Sequence, residues 1–210
     1  SRSKLMVRVN PINKNSLNEI DFAIMNGAEF IMLPMFESSN EVKKFISYVG
    51  GRAKTSLLLE TKNAFNKIDK ILQLKKIDEL HIGLNDLHLQ MGSKFMFDLL
   101  ADGTVKKIVD ACVSRNLPFG IGGVAPLSFK GRIPPNLVLA AHSYFESKHV
   151  ILSRTFNELM DEDKNKFNSA IRDLDLEFKK YSNLTSFQKL EQFKIVCNNL
   201  GFSEGSINER

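Results

Sequence analysis

The chain of 210 residues has two cysteines, too few for a disulfide framework or a thiolate metal array. Cys112 and Cys197 each fall within a helical pattern among apolar neighbours, as small buried thiols do in a reducing compartment. No apolar run approaches the roughly 18–20 residues of a membrane span, and no secretory signal opens the sequence. Both absences lead us to expect a cytoplasmic protein with no membrane partner. There is no low-complexity segment, and no initiator methionine precedes Ser1. The reading at that end is of the middle of a longer gene product.

What is present suits one substantial core. Hydrophobic residues make up 43% and charged residues 25%, spread along the chain, which excludes wholesale disorder. The net charge of +5 invites a nucleic-acid reading. That reading needs the cations gathered on one face, whereas Lys54, Lys62, Lys67, Lys70, Lys75 and Lys76 scatter among acidic residues. No nucleic-acid partner is expected, and the basic surface suits small acids better.

Strand and helix signals alternate. Strands are predicted at 5–9, 30–33, 56–59, 80–83, 118–122 and 150–152, and helices at 16–26, 40–49, 62–74, 105–115 and 135–145. Ser16 with Glu19 has capping-box spacing, and Gly27 suits a C-cap. Such alternation implies a parallel sheet, and six βα units are visible where a closed barrel has eight. The expected fold is therefore a (β/α)8 TIM barrel, with one or two βα units absent before Ser1, over residues 1–156. A two-helix extension over 157–210 follows, with helices at 158–181 and 186–200 and a frayed end at 205–210.

Three strands end in polar residues: Arg8-Val9-Asn10, Glu60-Thr61 and Asn85-Asp86. Parallel strands bring their C-terminal ends to one rim, where barrels of this kind keep their chemistry. A hard divalent cation, Mg²⁺ or Mn²⁺, could then rest on Glu60 and Asp86, and Arg8 could hold an anionic substrate. Each residue also has a plain structural reading: Glu60 as a surface or capping residue, Asn85-Asp86 as a turn, Arg8 as an ion-pair partner. The coincidence of all three on one rim favours an enzyme. His81 and His88 read as structural, and His142 and His149 as helix and loop residues.

These residues also carry a family resemblance. Val7-Arg8-Val9-Asn10, the run Gly27-Ala28-Glu29-Phe30-Ile31-Met32-Leu33-Pro34-Met35, Glu37-Ser38, Glu41-Val42, Glu60-Thr61 and Gly83-Leu84-Asn85-Asp86-Leu87 with Met91-Gly92 occur in order. Over residues 5–156 the chain resembles the HpcH/HpaI aldolase and citrate lyase β-subunit family. The resemblance implies a pyruvate/phosphoenolpyruvate-type barrel, usually a homo-oligomer, with Mg²⁺ or Mn²⁺. It makes Glu60 and Asp86 the metal ligands and Arg8 the catalytic, enolate-stabilising residue. Asn85 and Asp86, with Pro34, become substrate-binding.

The implied activity is that of a metal-dependent carbon–carbon lyase working on a hydroxylated 2-keto acid through a pyruvate enolate. The alternatives are a citrate-lyase-like acyl-CoA lyase and a degenerate barrel that binds or assembles without turnover. Leu58 stands where aldolase members often carry glutamine, and Met35 where citrate-lyase-like members often carry lysine. The acid–base histidine of the aldolases lies on an early strand, which corresponds to the region before Ser1.

Overall fold

The computed structural model describes residues 3–202. The predicted fray at 205–210 and the chain start at Ser1 lie outside the described residues. The chain forms two compact units, one of residues up to Lys94 with Lys107–Phe119, the other of Phe95–Lys106 with the chain from Gly120 onward. No helix among the described residues is long and apolar enough to cross a membrane.

The first unit alternates strand and helix. It runs β1 (Met6–Arg8), α1 (Ser16–Met25), β2 (Phe30–Leu33), α2 (Ser39–Val49), β3 (Lys54–Leu59), α3 (Lys62–Asn66), α4 (Ile68–Ile71), β4 (Glu79–Ile82) and α5 (Leu84–Met91). β1 pairs with β2, β2 with β3 and β3 with β4, all parallel, in the register Arg8↔Met32↔Ser56↔Glu79. Ile31, Met32, Leu33, Leu57, Leu58, Leu59, Leu80 and Ile82 are buried, so β2 to β4 are covered on both faces. That explains the continuous apolar runs of β2 and of Leu57–Leu59 in β3, while Thr55, Ser56 and His81 are buried polar residues in β3 and β4. Val42, Phe45 and Val49 form the buried stripe of α2, whose N-cap Ser38 accepts the Glu41 amide.

In the second unit α6 (Asp98–Ala101) precedes the strand pair. α7 (Thr104–Val113) carries the chain from this unit back to the first, and β5 (Phe119–Val124) brings it across again. Then come α8 (Pro135–Phe145), β6 (His149–Leu152), α9 (Thr155–Glu162), α10 (Lys164–Ser182) and α11 (Ser186–Leu200). β5 and β6 pair parallel, with a register irregularity between Ile121 and Val124. Phe193 of α11 stacks on Tyr144 of α8 at 4.1 Å, and α10 packs on α8 and α9.

The described residues thus contain six strands, each parallel to its partner within a unit, as in a partial barrel of the TIM type. Several boundaries differ from expectation. The helix predicted at 62–74 is two short helices, because Lys67 leaves helical geometry at φ −112°, ψ 14°. The helix predicted at 158–181 is broken at Asp163, whose extended backbone and side chain cap α10 through the Asn165 amide. The described part of this region therefore holds three helices, α9, α10 and α11, where two were expected. Residues 84–91, read as loop, are the helix α5, which Gly83 opens and Gly92 closes in the left-handed region.

Candidate functional site

The strand ends of the first unit carry the polar residues singled out in the sequence. Glu60 directly follows β3 and is only 5% exposed. Its Oε1 accepts the Met35 amide at 3.0 Å. Met35 adopts φ 52°, a left-handed conformation that is uncommon outside glycine and bends the chain just after Pro34. Thr61, fully buried, caps α3 by accepting the Ala64 amide, and its hydroxyl donates to the Phe36 carbonyl at 2.6 Å. Two bonds therefore tie Glu60-Thr61 to the turn after β2 and hold the carboxylate in place.

Gly83 makes room for that carboxylate. A Cβ there would lie 2.9 Å from the Glu60 Cβ, closer than packing allows, and would press tightly at 3.0 Å on its Oε2 and 3.2 Å on the Leu58 Cδ1. Gly83 also donates its amide to the Leu59 carbonyl, which closes the β3–β4 ladder beside the site. Asp86 follows in the first turn of α5 and is exposed. Gly83 supplies no side-chain cap, so the first amides of α5 point outward with the positive end of the helix. Asn85 lies beside Asp86 in the same turn, exposed.

Arg8 ends β1 and is exposed at the rim. Asn10, two residues on, donates both its amide and its side-chain NH₂ to Glu19 Oε1, so α1 pins the segment that carries Arg8. Pro34 is buried at the end of β2. His81 is buried within β4, and the Nδ1 of His88 lies 3.3 Å from the Leu84 carbonyl.

The three ionisable residues sense one another. Burial raises the Glu60 pKa above the usual carboxylate range, and the neighbouring Asp86 carboxylate adds to the rise. The Met35 amide and the Arg8 guanidinium act in the opposite direction. A buried carboxylate facing a second one is strained electrostatically, and a cation or a shared proton relieves it. Two carboxylates are hard oxygen donors of the kind Mg²⁺ accepts, with water and substrate completing its shell. Among the described residues no group of three or more His, Cys, Asp or Glu could hold a metal ion. A zinc-type site with three or four protein ligands does not fit; the two-carboxylate pair fits a metal that keeps most of its waters.

Reasoning from sequence had no signal for Met35 or Thr61 as supports of Glu60. Nor did it single out the close approach of Gly83 to Glu60.

The fold has solved relatives. RipC from Yersinia pestis aligns at 17% identity over 80% of this chain and 76% of its own, with a TM-score of 0.55. An HpcH/HpaI aldolase from Desulfitobacterium hafniense DCB-2 aligns at 13% identity over 76% and 70%, with a TM-score of 0.59. At such identities the likeness concerns the fold. No curated protein matches the sequence. The model of the HpcH/HpaI aldolase/citrate lyase family matches residues 1–114, which span β1 to the end of α7 and include Arg8, Glu60 and Asp86. The chain belongs to the HpcH/HpaI aldolase/citrate lyase family.

Proposed function

We propose that this protein is a divalent-metal-dependent carbon–carbon lyase, cleaving or forming a hydroxylated 2-keto acid through a pyruvate enolate. The family is one of lyases and is generally divalent-metal dependent. The observation that carries the reading is the buried Glu60 carboxylate, raised in pKa beside Asp86 and opposed by Arg8, at the ends of parallel strands. Glu60 and Asp86 would hold Mg²⁺ or Mn²⁺. Such an ion, when bound, polarises the keto oxygen of the substrate.

The remaining chemistry falls to the chain. Cleavage breaks the bond between C3 and C4 of a 4-hydroxy-2-keto acid: water takes the C4 hydroxyl proton as C4 departs as an aldehyde, the electron pair stays on the pyruvate half as an enolate, and a proton returned from water to C3 completes pyruvate. Arg8 neutralises the oxyanion that develops at C2 through charge-assisted hydrogen bonds. The open amides of α5 at Asn85 and Asp86 receive the substrate carboxylate, as helix N-termini receive anions. Pro34 and Leu58 supply apolar walls. The Met35 amide keeps Glu60 oriented, so that it need not reorganise as charge develops. Exposed Phe22 and Met25 on α1, with Leu5 just before β1 and Met6 at its start, support a homo-oligomer, and the buried thiols support a cytoplasmic setting.

Calorimetric titration of Mn²⁺ into the protein, alone and with oxalate as an enolate mimic, tests this reading. The expected result is metal binding that oxalate tightens and that Asp86→Asn removes while the circular dichroism spectrum is kept. A folded sample that binds no Mn²⁺, or binds it equally well after Asp86→Asn, would overturn it.

A further inference from the structure

The second unit contains a cavity of about 300 Å³ beside the loop between β5 and α8. Phe95, Phe97, Phe129, Ile133 and Val138 make its walls predominantly aromatic and aliphatic. The hydroxyls of Ser153 and Thr155, which also line it, are hydrogen-bonded to each other. One charged side chain lines it, Arg132, whose guanidinium carbon lies 4.5 Å from the Phe95 ring centroid. Stacking of this kind holds the guanidinium plane while leaving its N–H edge available. Among the described residues no carboxylate pairs with Arg132.

The backbone is shaped around the same space. A Cβ at Gly131 would lie 2.6 Å from the Phe129 Cε1, so the ring folds against a residue that has no side chain to displace it. An exposed arginine ordinarily ends in water. This one is stacked on a wall of an apolar cavity and makes no ion pair among the described residues, the combination that suits an anion carried on an apolar body. The volume lies at the lower end of the range for ligand pockets, about 300–1,000 Å³, which admits a single ring with a short acid arm and not a nucleotide.

We propose that this cavity is a binding site for a small monocarboxylate bearing an aromatic ring, with the carboxylate on Arg132 and the ring against the aromatic walls. The proposal uses none of Arg8, Glu60 and Asp86, and all the residues it rests on belong to the second unit.

The test is calorimetric titration of 3-phenylpropionate into the full chain in metal-free buffer. The probe has no keto group and so cannot chelate a metal as a 2-keto acid would; failure here and failure of the lyase reading are thereby separate results. Saturable one-site binding is expected. It should weaken by about tenfold or more for neutral 3-phenylpropan-1-ol and for Arg132→Gln, whose exposed position spares the fold. Ala125→Trp, which fills the cavity from its half-buried wall, should abolish binding with the circular dichroism spectrum unchanged. Absence of saturable binding to folded wild-type protein would overturn the proposal. So would an unchanged affinity in Arg132→Gln, or acetate binding as tightly as the aromatic acid.

Discussion

Glu60 illustrates how a single residue is tuned at a cost to stability. Its pKa in the folded chain is raised, chiefly by burial. Below the unfolded-state value near 4.3 the carboxyl is protonated in both states and contributes no penalty. As pH rises past that value the unfolded chain releases its proton first, and folding loses stability. Metal-free Glu60→Gln should therefore melt at a higher temperature than wild type at pH 7, and the gap should close near pH 4. Differential scanning calorimetry at the two pH values checks this, and a lower melting temperature at pH 7 would contradict it. Gly83 is constrained by the same carboxylate. Gly83→Ala places a methyl 2.9 Å from the Glu60 Cβ, and Glu60 must move. Mn²⁺ affinity should then fall by about tenfold or more while the fold persists, as measured by calorimetry beside circular dichroism.

At the scale of elements, the pair α8 and β6 encloses a titratable group. His142 of α8 is 3% exposed, and its Nδ1 lies 2.6 Å from the Ser147 Oγ. Burial pushes its pKa down to about 4; the Gly122 carbonyl pulls upward and His149 nearby pushes further down. Above pH 6.5 the imidazole is neutral in both folded and unfolded chains, and its contribution is fully present. As pH falls from 6.5 towards 4 the unfolded chain takes up a proton that the folded one refuses. The expected loss is on the order of 3 kcal/mol. Urea denaturation at pH 7 and pH 4.5 should show it, with a smaller difference between the two in His142→Gln. An equal pH dependence in that variant would assign the effect to other groups.

At the scale of the whole molecule, the two units each bury one thiol. Cys112 lies on α7 within the first unit and Cys197 on α11 within the second. Burial pushes them up to about 12 and about 11, so neither holds appreciable thiolate at neutral pH. Both should resist iodoacetamide in the native protein and become labelled only as their own unit opens. Mass spectrometry of samples pulsed with reagent across a urea series reads each unit separately. Rapid labelling of either thiol without denaturant would show that the packing around it is looser than described.

The parallel α/β architecture was legible because short apolar runs in β2, β3 and β4 recur between helical patterns and end abruptly in Pro34, Glu60 and Gly83. Arg8, Glu60 and Asp86 stood out for the same reason, being polar residues that interrupt apolar runs at the positions where parallel strands share a rim. Helix interruptions were not legible. Lys67 breaks a helix although lysine is a good helix former, and Asp163 caps one in the middle of a charged run. α5 was hidden because Gly83 followed by Asn85-Asp86 reads as a turn until the β3–β4 ladder fixes where the strand ends. The positive φ of Met35, the bond from its amide to Glu60 and the absence of room at Gly83 depend on residues 23 to 25 positions away along the chain. Local sequence determined which residues are apolar, which end strands and which carry charge. Only the tertiary structure decided that Glu60 is buried against Asp86, because desolvation and charge coupling depend on distance in space, not on separation along the chain.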